Sequence, residues 1–155
     1  MKRRKPLPGE LTKLRAILSY QFGDDVSSLL LGNLDEIEVD VTSRGKIRNV
    51  YKSGERILTL RPNDNLYSLG LGAAKLIVSG TMPPRLRIIV RGDRELRGSV
   101  LARDIVSYDE DLRPGDECVI VDLDDDLIGV GRVKISPHMI DGLDRGEIVR
   151  IRHKR

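Results

Sequence analysis

Between Gly98 and Val106 the chain runs Gly-Ser-Val-Leu-Ala-Arg-Asp-Ile-Val, and Gly115-Asp116 and Gly129-Val130-Gly131 follow it. The chain closes on Val-Arg-Ile-Arg-His-Lys-Arg from Val149 to Arg155. Small residues and glycines at these intervals suit a tight barrel whose backbone a large anion approaches closely, and the basic tail supplies the attracting charge. The chemistry expected here is binding. Asp122, Asp124, Asp125 and Asp126 raise a metal or Mg²⁺-dependent hydrolase reading. Their spacing lacks the glycine and distal glutamate of a calcium loop, and no base or nucleophile accompanies them, so a polar hairpin turn is favoured. His138 stands without a second histidine or cysteine nearby. No Ser/His/Asp set, phosphate loop or dinucleotide fingerprint occurs, so the sequence supports neither catalysis nor a bound cofactor or metal.

The elements that position these residues follow from periodicity. Leu11, Leu14, Ile17, Leu18 and Phe22 fall on one stripe of a helix spanning Leu11 to Phe22, stopped by Gly23. Asp24 or Asp25 can cap a second short helix that ends at Gly32-Asn33. From Glu36 the period becomes two, predicting hairpin-linked strands at Ile37–Val41, Lys46–Tyr51, Arg56–Leu60 and Leu66–Leu69. Gly70–Val78 reads as a helix packed on that sheet. Ser79 to Pro84 breaks the pattern, because two prolines exclude helix and central strand together. That break divides residues 1–82 from 83–155. In the second part strands are expected at Leu86–Val90, Ser99–Ala102, Ile105–Tyr108, Glu117–Leu123, Leu127–Ile135 and Glu147–Arg152. A turn or short helix is expected at Asp93–Arg97 and a helical turn at Pro137–Asp141. Many short strands with glycine punctuation indicate a small mixed barrel.

Composition bounds the class. With 155 residues, 39% hydrophobic and no Trp, two small cores built from Leu, Ile and Val are expected. A single cysteine, Cys118, excludes an internal disulfide and a cysteine-cluster zinc site, and its surroundings predict a buried strand position. The opening Met-Lys-Arg-Arg-Lys lacks a secretory signature and no apolar run suits a bilayer, so a cytoplasmic protein without membrane partners is expected. Lys2 to Lys5 reads as a mobile leader acting by electrostatic attraction alone. The net charge of +3 is unevenly spread. Residues 85–103 carry six arginines, 104–126 carry ten acids against Arg113 alone, and 127–155 carry seven Lys and Arg against three acids. If the first and last blocks adjoin in the fold, one face is basic and another acidic.

Residues 85–155 resemble the PUA domain, a compact pseudo-barrel attached to tRNA- and rRNA-modifying enzymes. The resemblance rests on Gly98-Ser99-Val100-Leu101, Gly115-Asp116, Gly129-Val130-Gly131 and the basic final strand. Tyr20-Gln21-Phe22-Gly23, the run Gly45 to Tyr51 and Gly54-Glu55-Arg56 resemble the domain preceding PUA in archaeosine-type tRNA-guanine transglycosylases. The fold this implies is α+β in two small domains, an N-terminal helix-plus-antiparallel-sheet domain (1–82) and a C-terminal PUA-type pseudo-β-barrel (83–155). The family's full-length enzymes also carry a catalytic (β/α) barrel, which needs about 250 residues, and a cysteine-rich zinc site that Cys118 alone cannot build.

Carried onto this sequence, the family's RNA-binding surface comprises Arg97, Gly98, Ser99, Val100, Leu101, Ala102, Arg103, Gly131, Lys134, Arg152 and His153. In that assignment Gly98 opens backbone N–H groups to phosphate or ribose, Ser99 donates a hydrogen bond, and the cations neutralise phosphates. Val100 and Leu101 also read as ordinary barrel core. The resemblance thus implies a non-catalytic RNA-binding protein whose partners are structured tRNA, at its acceptor stem and 3′ end, and a catalytic tRNA-modifying protein, with archaeosine formation the first candidate pathway. The alternative is an assembly subunit whose first domain docks that enzyme through its helix and its Ile37–Asp40 strand, with incidental RNA contact.

Overall fold

The structure is a computed structural model that describes residues 2–92, 96–142 and 146–155, so most of the expected Asp93–Arg97 turn lies outside the described residues. The chain divides into two compact units, Met1–Ile77 and Val78–Arg155.

The first unit opens with α1 (Pro8–Phe22) and α2 (Asp24–Leu31), followed by strands β1 (Ile37–Val41), β2 (Ile47–Lys52), β3 (Glu55–Leu60) and β4 (Tyr67–Leu69). The strands form one antiparallel meander in chain order. α1 begins three residues before the periodic stripe because Pro8 is preset for a first helical turn and the Glu10 carboxylate accepts the Leu7 N–H at 2.9 Å. Leu14, Leu18 and Phe22 are the helix's buried face, while Leu11 and Ile17 stay half-buried. Gly23, at φ +92°, ends α1 by donating its N–H to the Ser19 carbonyl. α3 runs Leu71–Gly80, two residues beyond its expected end.

The leader is ordered, contrary to the expectation of a free basic tail. Arg4 pairs with the outer edge of β1, donating its N–H to the Val39 carbonyl at 2.9 Å and accepting the Val39 N–H at 2.7 Å. The Arg3 guanidinium lies 3.9 Å from the centre of the Tyr51 ring, and Arg4 binds Glu10 with both terminal nitrogens at 2.7 Å. Edge-strand pairing and charge neutralisation together outweigh the solvation that a polybasic leader would otherwise keep. Beneath it Asp40 is buried and accepts from the Asn49 backbone and side-chain amides and from the Tyr51 hydroxyl. Asp40 is therefore an internal hydrogen-bond hub, while Glu38 of the same strand is half-buried.

In the second unit β5 (Arg87–Val90), β6 (Ser99–Leu101), β7 (Ile105–Tyr108), β8 (Glu117–Val121), β9 (Leu127–Val133) and β10 (Glu147–Lys154) form one curled sheet in the order β6-β10-β9-β8-β5-β7. All pairings are antiparallel except β5 with β8. Every residue of β8 is buried, including Cys118. The architecture is the mixed α+β arrangement expected from the sequence, with helices on an antiparallel sheet in one unit and a curled half-barrel in the other.

Candidate nucleic-acid interface

β10 is the organising strand. It pairs with β6 on one side and β9 on the other, so one row of partners crosses the sheet as Ser99, Arg150, Arg132 and Glu117. Paired residues point to the same side of a sheet. Along this row the Ser99 hydroxyl donates to Glu147 Oε2 at 2.6 Å and Arg150 Nε donates to Glu147 Oε1 at 2.9 Å. These two bonds, with help from the Lys134 charge, hold the Glu147 carboxyl below its ordinary pKa. Lys134 is exposed, and its backbone N–H donates to the Ile148 carbonyl at 2.7 Å.

The loop before β6 lies along the far end of β10. The Gly98 carbonyl accepts the Ile151 N–H at 2.9 Å, and the Lys154 ammonium reaches the Leu96 carbonyl at 2.9 Å. Arg97, Gly98, Ser99, Leu101, Arg103 and Asp104 line a depression of about 340 Å³. Arg97 and Arg103 are exposed, and among the described residues neither side chain forms an ion pair. His153 is exposed at the end of β10, opposite Val130. The structure thus brings Arg97, Gly98, Ser99, Leu101 and Arg103 to one depression and sets Lys134 and His153 along the adjoining strand.

Other candidates are placed differently. Val100 and Ala102 are buried, so they shape the surface from below. Gly131 is buried too, and a Cβ there would press into the Arg150 carbonyl and lie 2.7 Å from Val149 Cγ1. Its role is to let β9 and β10 close on one another. Gly98 has an ordinary backbone conformation with open space around its Cα, so neither a forced turn nor a close contact requires a glycine there. Arg152 is engaged. Its guanidinium forms a two-pronged ion pair with the fully buried Glu117 carboxylate, Nη1 donating to Oε2 at 3.2 Å and Nη2 to Oε1.

The charge blocks are not independent of one another. Arg87 is wholly buried and donates to both oxygens of Asp125, at 2.7 and 3.0 Å, and to the Thr81 hydroxyl and the Val78 carbonyl. The acidic middle is used mainly to close turns. Asp122 accepts the Asp124 and Asp126 N–H groups at 2.9 and 3.0 Å, Asp109 accepts those of Leu86 and Asp111, and Asp116 accepts that of Arg113. The carboxylates of Asp122, Asp124 and Asp126 sit within 4.8 Å of one another, an arrangement that the hairpin backbone already explains. Arg150, Arg132, Glu147 and Lys154 belong to the same surface and escaped the sequence reading. Their signal was the register of β10, which fixes which residue of Val-Arg-Ile-Arg-His-Lys meets which strand.

Residues 12–84 match the family described as the patch-forming domain C2 of tRNA-guanine transglycosylase, and residues 91–155 match the PUA domain. The chain is 32% identical over 148 residues to a tRNA-guanine(15) transglycosylase of Methanothermobacter thermautotrophicus, an alignment covering 92% of this chain and 22% of that protein. It is 33% identical over 147 residues to the tRNA-guanine(15) transglycosylase of Methanobrevibacter smithii, again covering 92% of this chain and 22% of the relative. The chain therefore spans about a fifth of the length of these curated relatives. Among solved structures, a hypothetical protein of Pyrococcus horikoshii superposes with a TM-score of 0.73 at 19% identity, covering 99% of this chain and 94% of that one. A conserved PUA domain protein from Thermoplasma acidophilum superposes with a TM-score of 0.67 at 20% identity, covering 99% and 93%. At these identities the superpositions establish the shared fold.

Proposed function

Residues 12–84 belong to the patch-forming C2 family of tRNA-guanine transglycosylase and residues 91–155 to the PUA family, and from that premise we propose that the chain binds structured tRNA through the β6–β10 surface of its PUA domain. The RNA lies with its acceptor stem and 3′ end over the depression at Arg97–Asp104. Arg97, Arg103 and Lys134 neutralise phosphates there, Ser99 and the Gly98 backbone meet ribose or phosphate oxygens, and Leu101 and His153 border the bound strand. The observation that carries this reading is the exposed, unneutralised pair Arg97 and Arg103 on one depression beside a basic strand end. The curated relatives are named for exchange at guanine 15 of tRNA, and this chain corresponds to about a fifth of their length. Its proposed role is accordingly to position tRNA for a catalytic tRNA-modifying protein in the cytoplasm, with archaeosine formation as the pathway and no base exchange by the chain itself.

The test is titration of labelled tRNA against the wild-type chain and an Arg97→Ala/Arg103→Ala/Lys134→Ala variant over a range of salt. Affinity should fall by roughly one logarithmic unit per logarithm of salt for each phosphate neutralised, and the variant's slope should be shallower by about two to three. Nuclease protection should map to the acceptor end. A wild-type affinity unchanged between low and high salt, or protection confined to the anticodon arm, would refute the proposal.

A further inference from the structure

The first unit carries a second feature that the RNA reading does not use. A groove of about 420 Å³ opens between α1, the β1–β2 turn and the β3–β4 loop. Its floor is Leu14, Ile17, Ile47, Leu60 and Tyr67. Leu14, Ile47 and Tyr67 are buried, whereas Ile17 and Leu60 remain half-buried. Ile17 belongs to the apolar stripe of α1, yet it meets this opening instead of the core. The rim carries Lys13, Arg44 and Lys46, all exposed. The nearby acid, Glu10, is neutralised by the bidentate Arg4 contact, which holds its carboxyl down to about 2. Lys46 donates to Asn65 Oδ1 at 3.0 Å, and among the described residues Lys13 and Arg44 form no ion pair. The groove therefore pairs an incompletely buried aliphatic floor with an uncompensated positive rim.

We propose that this groove docks an acidic peptide segment of a partner protein, which inserts one aliphatic side chain over Ile17 and Leu60 and sets its carboxylates against Lys13, Arg44 and Lys46. Charge complementarity selects an anionic partner. The floor selects protein over RNA. Single-stranded bases are held by stacking on exposed aromatic or guanidinium planes and by pairing of their polar edges. The only aromatic ring here, Tyr67, is buried, with its hydroxyl donated to the Ile47 carbonyl at 2.7 Å. A base seated on the aliphatic floor would leave polar edge atoms unpaired, whereas a leucine or isoleucine side chain has none. The inference does not depend on RNA binding by the second unit.

The experiment follows backbone amides of the full chain by NMR while a ten-residue peptide alternating glutamate and leucine is added. The same peptide with glutamine for glutamate and a uridine decamer are run beside it. Resonances of Lys13, Ile17, Arg44, Lys46 and Leu60 should move with the acidic peptide. The uncharged peptide should bind about tenfold more weakly. A Lys13→Glu/Arg44→Glu chain should lose about tenfold in affinity while keeping its dispersed spectrum, since both side chains are exposed. Ile17→Asn should weaken both peptides. Three outcomes overturn the proposal: these amides stay still, the double charge reversal leaves peptide affinity unchanged, or the uridine decamer competes the peptide away from the groove.

Discussion

Arg152→Ala separates the role of a cation in the barrel from the role of a cation on its surface. The Glu117 side chain is fully buried, and the Arg152 side chain that faces it is 29% exposed. Removing one partner of a buried ion pair costs about 3–5 kcal/mol, because the remaining charge is left without compensation. Here the lower end applies, since the arginine is partly solvated and Arg132 stands opposite Glu117 in the β8–β9 register. A loss of about 3 kcal/mol in a unit of this size lowers Tm by roughly 12–24 °C, at about 4–8 °C per kcal/mol. The assay is thermal unfolding followed by far-UV circular dichroism at fixed salt, with tRNA affinity measured well below the variant's Tm. Arg97→Ala and Arg103→Ala, at exposed positions, should each change stability by no more than about 0.5 kcal/mol. A Glu117→Gln/Arg152→Met double variant should recover most of the loss, because it removes both charges together. If Arg152→Ala lowers Tm by less than about 4 °C and weakens RNA as Arg97→Ala does, the ion pair is not structural and Arg152 rejoins the binding surface.

Three further outcomes follow from individual contacts. Gly131→Ala should destabilise the second unit by at least about 2 kcal/mol, measured by urea unfolding, because its Cβ would drive into the β10 backbone at Arg150; an unchanged midpoint would show that β9 and β10 can part. Glu10 should titrate near 2 in the folded chain and return towards the ordinary 4.5 in Arg4→Ala, read from side-chain carboxyl shifts. Because its folded value is lowered, its contribution to stability is complete above about 4.5 and disappears as pH falls through about 2, and a titration near 4.5 in the wild type would contradict the Arg4 contact. Cys118 should resist alkylation in the native state and react only on unfolding, since burial raises its thiol pKa and closes access; rapid labelling of native protein would contradict the β8 packing.

Periodicity carried the elements because local sequence determines them. The stripe through Leu14, Leu18 and Phe22 and the alternation Ile37, Val39 mark faces that must be buried whatever lies opposite. The start of α1 lies outside the periodic stripe because its first turn is fixed by Pro8 and Glu10, which carry no hydrophobic period. The ordered leader was invisible for a different reason: Arg4 is held by backbone pairing to Val39, and main-chain hydrogen bonds leave no side-chain signature. Of the surface residues, the Gly98–Arg103 segment could be read directly, but Arg150, Arg132 and Lys154 could not. Their placement depends on the register of β10, which shifts between Glu147 and Val149 against β6 and between Ile151 and His153 against β9, and a shift of one residue exchanges the faces of a strand.

Segment charges overstate what is free at the surface for one physical reason. A sum over a segment treats every ionised side chain as solvated, whereas Arg87 and Arg152 each answer an acid from the middle block, Asp125 and Glu117. Other acids of that block bind backbone N–H groups at turns, as Asp109, Asp116 and Asp122 do. Part of the acidic middle is therefore taken up within the fold together with two arginines, while Glu110, Asp111, Asp124 and Asp126 stay exposed. The exposed cations beside the Gly98 loop are Arg97 and Arg103, with Lys134 next to the start of β10. Fewer positive charges stand there than the sequence blocks imply. They are nevertheless on neighbouring elements, and proximity on a low-dielectric surface, rather than net charge, sets the local field that a phosphate backbone meets.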